Sequence, residues 1–230
     1  MQLFAHRGVS ALAPENSSRA FEMALEAQAD GIELDVRGVA GKAMVIHDED
    51  LQRTTNGSGS VYNLSFSQWQ QLDAGDGKPP PVLLDVLAMV AGKFQVNIEL
   101  KCCSAIKPVM NDIKHAMALY GFEAEQLCLS AFDHHILKAV RCELPSHPVA
   151  PLIGACPLDY AACAEPLIAQ AIHCHVETTN LELVEDAHAR GLDVRVYTVT
   201  RELDLLRMRT LGVDAVFVDD IHWAQAVLAH

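Results

Sequence analysis

Two apolar segments of this chain carry acids where a buried strand would ordinarily carry none. In GIELDV, residues 31 to 36, a strand's two-residue repeat puts Ile32, Leu34 and Val36 on one face and Glu33 and Asp35 on the other. Two carboxylates on one face of an apolar strand repel each other and are costly to bury, unless a hard cation takes their oxygens. NIELK, residues 97 to 101, repeats the device, with Asn97, Glu99 and Lys101 on one face. Two such strands meeting at the mouth of a parallel sheet would place Glu33, Asp35 and Glu99 around one divalent cation, Mg²⁺ or Ca²⁺. The plainer alternative is a set of salt-bridged or solvent-facing acids, with Glu99, Lys101 and Arg7 forming an ion-pair network.

His6 and His47 also follow strand-like runs. Imidazole exchanges a proton near neutrality, so the pair suits a general base and a general acid. They are also possible metal ligands, although three carboxylates already satisfy a hard metal and zinc spacing is absent. Arg7 offers a planar fork, and Lys101 a point charge, to the free oxygens of a phosphoryl group. His173 and His175 alternate with Cys174 and Val176, and a packed imidazole is the plainer reading of either. No Gly-x-Ser-x-Gly elbow marks a serine nucleophile.

The elements that must position these residues alternate along the chain. A brief strand ends at His6, and a helix capped by Asn16 or Ser17 carries Ala20, Phe21, Ala24 and Leu25 before stopping at Asp30-Gly31. A strand over 32 to 36 leads to a possible hairpin return at 43 to 46. Residues 48 to 80 are an irregular excursion with a short helix near Ser65, too short to own a core. After Pro81 the periodicity predicts helices at 82–90, 104–120, 134–143, 160–169, 180–190 and 201–211, with a last one from 222. Between them it predicts strands at 94–100, 127–131, 149–153, 171–176, 192–199 and 214–218. Repeated βα units imply a parallel sheet with helices outside. No Gly-rich nucleotide fingerprint follows a strand, and polar residues close many strands, which favours a (β/α)8 TIM barrel over a doubly wound sheet. Nine candidate strands are one too many, and 43 to 46 is the segment suspected of irregular pairing.

Composition narrows the function. With 230 residues, half of them hydrophobic, the chain suffices for one catalytic barrel over 1–230 with 48–80 as an insertion. The formal charge of −13, from 30 acids against 17 Lys and Arg, disfavours a nucleic-acid partner but not a small phosphate-bearing substrate. No run is long enough for a membrane span. Seven cysteines without a CxxC pair, and a start MQLFAHRG lacking the regions of a signal peptide, point to a cytoplasmic setting. Monomer and homo-oligomer both remain open.

The chain resembles the glycerophosphodiester phosphodiesterase family. The resemblance lies in AHRG (5–8), APENS (13–17), GIELDV (31–36), VIHDEDLQRTTNGSG (45–59), LDAG (72–75), NIELK (97–101), SAF (130–132), VYTV (196–199) and GVDAVFVDD (212–220). It implies a TIM barrel that hydrolyses glycerophosphodiesters to sn-glycerol 3-phosphate and an alcohol. It further implies Glu33, Asp35 and Glu99 as metal ligands, His6 and His47 as the acid–base pair, and Arg7 and Lys101 at the phosphate. Tyr197 stands where the family usually has Trp and would give an aromatic wall for the glycerol carbons; Thr200 and Val218 also depart from the usual pattern. A lysophospholipase D-like activity is the alternative within the class, with Phe66, Trp69 and Leu72 as candidate walls of a greasy channel. A non-catalytic phosphodiester-binding module is the alternative outside it.

Overall fold

The computed structural model describes residues 1–229. Its strands are β1 (Gln2–His6), β2 (Gly31–Val39), β3 (Lys42–Val45), β4 (Gln95–Leu100), β5 (Leu127–Ala131), β6 (Val149–Ile153), β7 (Ala171–His175), β8 (Asp193–Tyr197) and β9 (Ala215–Val218). All but β3 pair in parallel, in the order β1-β9-β8-β7-β6-β5-β4-β2, and a β1–β2 pairing closes the ring. The expected eight-stranded barrel is therefore the fold found. The surplus ninth strand is β3, which folds back antiparallel on the far end of β2. Ala40 and Gly41, both left-handed, make the two-residue turn that this return needs.

The outward faces of the strands hold the core together. Ile32, Leu34 and Val36 are fully buried beneath α1 (Ser18–Glu26) and α3 (Leu83–Val90), whose Phe21, Ala24, Leu83 and Leu87 belong to the same apolar cluster. That arrangement turns Glu33 and Asp35 inward, as their alternation predicts. Ser17, not Asn16, caps α1, accepting from the Ala20 amide.

Two elements differ from expectation. Helix α1 ends at Glu26 instead of running to Asp30: Gln28 turns left-handed and the Asp30 carboxylate accepts the Leu3 amide at 2.7 Å, committing Asp30 to the strand layer. Over 160–169 the chain forms a 3-10 helix, Ala162–Leu167, in which Pro166 offers no amide to an α-helical ladder. The excursion after β3 holds the one-turn α2 (Phe66–Trp69), capped by Ser65. It shares a small apolar cluster with the hairpin: Leu51, Val61 and Trp69 pack with Val39, Met44 and Ile46.

Candidate active site

Strand register brings the acids together. On β2 and β4, Asp35 pairs with Glu99, while Glu33 pairs with His6 on β1. One oxygen from each of Glu33, Asp35 and Glu99 lies within 4.8 Å of the others, and all three residues are buried. Glu99 is the last residue but one of β4, and its register partner Asp35 lies beside it on β2 with Glu33, at the end of the barrel where such folds present their chemistry. A cavity of about 340 Å³ opens there, lined by His6, Arg7, Glu33, His47, Glu99 and Lys101 among others.

The turn after β1 explains how Arg7 reaches the site. Arg7 and Gly8 are both left-handed (φ 56° and 77°), and a Cβ on Gly8 would lie 2.6 Å from the backbone of Ala20. Only glycine lets the turn rest on α1. The turn aims the Arg7 amide at Glu33 Oε2 (3.0 Å), while the guanidinium lies 3.1 Å from Asp35 Oδ2 and donates to Glu15 Oε1 at 2.8 Å. Lys101 Nζ donates to Glu99 Oε1 at 2.5 Å and lies 3.5 Å from Asp35 Oδ1.

Both histidines are held by the same nitrogen. His6 Nδ1 is 2.7 Å from Asp219 Oδ1, and His47 Nδ1 is 2.6 Å from Asp48 Oδ1. Each imidazole thus keeps Nε2 for the cavity, and His6 Nε2 stands 4.0 Å from Glu33.

Electrostatics divide the three acids. Burial, then the Asp35 charge, pushes the Glu33 carboxyl up to about 8. Glu99 moves the same way for the same reasons. For Asp35, burial is outweighed by Arg7 and Lys101, and it stays ionised. Burial would also lower His6, but the Asp219 hydrogen bond and the Glu33 charge overcome it and the net shift is upward.

Tyr197 stands half-buried at the end of β8, edge-on to Phe132 at 5.8 Å, and its hydroxyl donates to the Ile153 carbonyl at 3.0 Å. Every residue singled out from the sequence for the site therefore lies at this one mouth. Phe66, Trp69 and Leu72 do not: they belong to the cluster under the hairpin, and Trp69 is buried with its indole N–H on Pro80 O (2.8 Å). The greasy channel expected of them is not formed by these residues.

Sequence reasoning missed the groups that hold the others in place. Asn16, read as a candidate cap, donates to Asp35 Oδ2 at 2.9 Å. Arg53 grips Glu15 through two bonds (2.6 and 2.8 Å) and Asp48 at 2.5 Å, tying the excursion to the His47 arm. Asp48 was signalled by its place beside His47, and Asp219 by its place after the last strand.

The fold and mouth define a barrel that gathers acids, imidazoles and cations where such folds carry out their chemistry. The model of the glycerophosphoryl diester phosphodiesterase family matches residues 6–222. A glycerophosphodiester phosphodiesterase of Caldanaerobacter subterraneus is 35% identical over 95% of this chain and 93% of its own. Another, from Bacillus altitudinis, is 32% identical over 95% and 94%. An Oleispira antarctica phosphodiesterase, solved with its product sn-glycerol-3-phosphate, superposes with a TM-score of 0.91 at 26% identity, over all of this chain and 97% of that one. The chain belongs to the glycerophosphoryl diester phosphodiesterase family and is an enzyme of the phosphodiesterase class.

Proposed function

We propose that this protein hydrolyses glycerophosphodiesters to sn-glycerol 3-phosphate and an alcohol as a single catalytic barrel. In this reading Glu33, Asp35 and Glu99 hold one Mg²⁺ or Ca²⁺, His6 and His47 exchange protons, and Arg7 and Lys101 hold the phosphoryl oxygens. One observation carries it: three acidic oxygens lie within 4.8 Å of one another, and two of the acids, Glu33 and Glu99, line a cavity together with two carboxylate-held imidazoles and two cations. The donors fit a hard cation. Asp35 Oδ1 is buried without a hydrogen bond, and Glu33 resists ionisation for want of a compensating charge. When bound, the cation would draw electron density from a phosphoryl oxygen and favour attack on phosphorus.

The residues of the chain then divide the work. With Nδ1 of each imidazole occupied, Nε2 moves the protons. One histidine takes the proton of a glycerol hydroxyl, whose oxygen attacks phosphorus, and the other protonates the departing alcohol. Water opens the cyclic phosphate with the roles reversed. The nucleophile is already tethered to the phosphorus it attacks, so little orientational freedom is lost. Tyr197 offers the flat apolar surface for the glycerol carbons.

No helix among the described residues is long and apolar enough to cross a membrane. The cysteines are all unpaired, which supports the proposed cytoplasmic setting. The proposal is tested by assaying release of sn-glycerol 3-phosphate from glycerophosphocholine, beside lysophosphatidylcholine, with and without EDTA. Turnover of the glycerol diester that EDTA abolishes is expected. A preference for the lysophospholipid would move the activity to the alternative class, and tight binding without turnover would make the chain a binding module.

A further inference from the structure

Below the charged rim lies a second polar layer that the proposed reaction leaves unused. Asn97 sits two residues deeper on β4 than Glu99, about 7 Å of strand, and His173 stands in the same relation to His175 on β7. Both line the cavity, and both are buried, at 1% and 0% exposure. The Asn97 amide nitrogen donates to Ser130 Oγ at 3.0 Å, but its Oδ1 has no partner, and neither ring nitrogen of His173 has one.

Nothing bonds His173, and the neighbouring Arg195 likewise has two buried nitrogens, Nε and Nη1, without partners. The Phe217 ring lies 5.1 Å away, and Arg195 is its register neighbour on β8. Burial and that guanidinium keep the imidazole neutral. A neutral imidazole presents one donor and one acceptor, and Asn97 adds a second acceptor. Buried polar atoms without partners are costly and uncommon. Those of His173 and Asn97 lie deeper than Arg7 and Lys101, the two cations that line the cavity; Arg195, buried beside His173, is not part of that lining. An anion would go to Arg7 and Lys101; a group that both donates and accepts would go to the floor.

We propose that His173 and Asn97 form a hydroxyl-binding floor that takes the terminal hydroxyl of the glycerol group. The inference rests on the reaction proposed above. With the phosphate at the rim, the glycerol end descends and the variable alcohol faces the opening. One glycerol hydroxyl attacks phosphorus; the other is free to be recognised. A diester without that second hydroxyl leaves the floor unsatisfied and is discriminated against.

Metal-supplemented enzyme would be assayed on a glycerophosphodiester and on its 2-hydroxypropyl analogue, which keeps the attacking hydroxyl but lacks the terminal one. Wild type is expected to lose about 10-fold or more in kcat/KM on the analogue. His173→Phe and Asn97→Leu should show a comparable loss on the glycerol substrate, mostly in KM, and little further loss on the analogue. The melting temperature of His173→Phe should hold or rise, because orphaned polar atoms have been removed. A variant that discriminates as wild type does would overturn the proposal. Calorimetric binding of sn-glycerol 3-phosphate against 2-hydroxypropyl phosphate by wild type reads the same preference without turnover or a variant. A wild type that hydrolyses neither diester but prefers sn-glycerol 3-phosphate keeps the floor and removes the reaction. Equal binding of the two overturns the floor whatever the turnover.

Discussion

The barrel mouth has two unlike halves. Over β1, β2 and β4 the mouth carries charged and titratable groups: His6 and Arg7, Glu33 and Asp35, Glu99 and Lys101. Over β5 to β8 the cavity is bordered by neutral groups, among them Phe132, Leu152, His173 and Tyr197. The charged half is also the braced half. Arg7, Asn16, Asp48 and Asp219 each bond to another member of it, and Arg53 reaches it from the excursion. A half built of opposed charges needs bracing, because each buried ion must be compensated. In the proposed reaction the proton carriers belong to the charged half, while recognition of the glycerol draws on Asn97 of that half and His173 of the other.

The largest effects should therefore follow from removing a proton carrier in the charged half. His6→Ala and His47→Ala are each expected to lower kcat by about 10²- to 10⁴-fold with little change in melting temperature. Near-normal turnover in either would break the comparison. A smaller effect is expected of Asp219→Asn, about 10-fold or more in kcat, because a positioning residue is lost and not the imidazole. Its pH profile is more telling. Asp219 and Glu33 raise the His6 pKa against burial, so the substitution lowers it. Whichever limb of the kcat profile belongs to His6 must move to lower pH, whether His6 acts as base or acid. A limb that stays in place would separate Asp219 from His6. Smallest is Tyr197→Phe in the neutral half, which removes one hydrogen bond to Ile153 and should change kcat/KM by about three-fold. An effect as large as that of a histidine would erase the distinction between the halves.

The two halves also differed in how legible they were. Glu33, Asp35 and Glu99 stood out because each interrupts an apolar alternation that has no local use for an acid. The barrel was readable from the βα rhythm, and the hairpin from the shortness of 37 to 42. The neutral half gave no such signal, since Leu152 or Phe132 at a strand end looks like any packing residue. The braces were hidden for another reason. Asp219 reaches His6 across 213 residues of sequence, and that pairing depends on how β1 and β9 align when the barrel closes. The end of α1 was misjudged because Asp30 serves a strand layer contributed by Leu3, again a non-local partner.

The account depends most on the three carboxylates sharing one cation, and calorimetric titration of the chelator-treated protein with Mg²⁺ or Ca²⁺ tests this directly. Since Glu33 holds its proton up to about 8, it is largely protonated at neutral pH without metal, and a cation must displace that proton. One equivalent should bind, more tightly at pH 8 than at pH 6, and Glu33→Gln should weaken binding and flatten the pH dependence. No binding by wild type, together with full turnover in EDTA, would contradict the account.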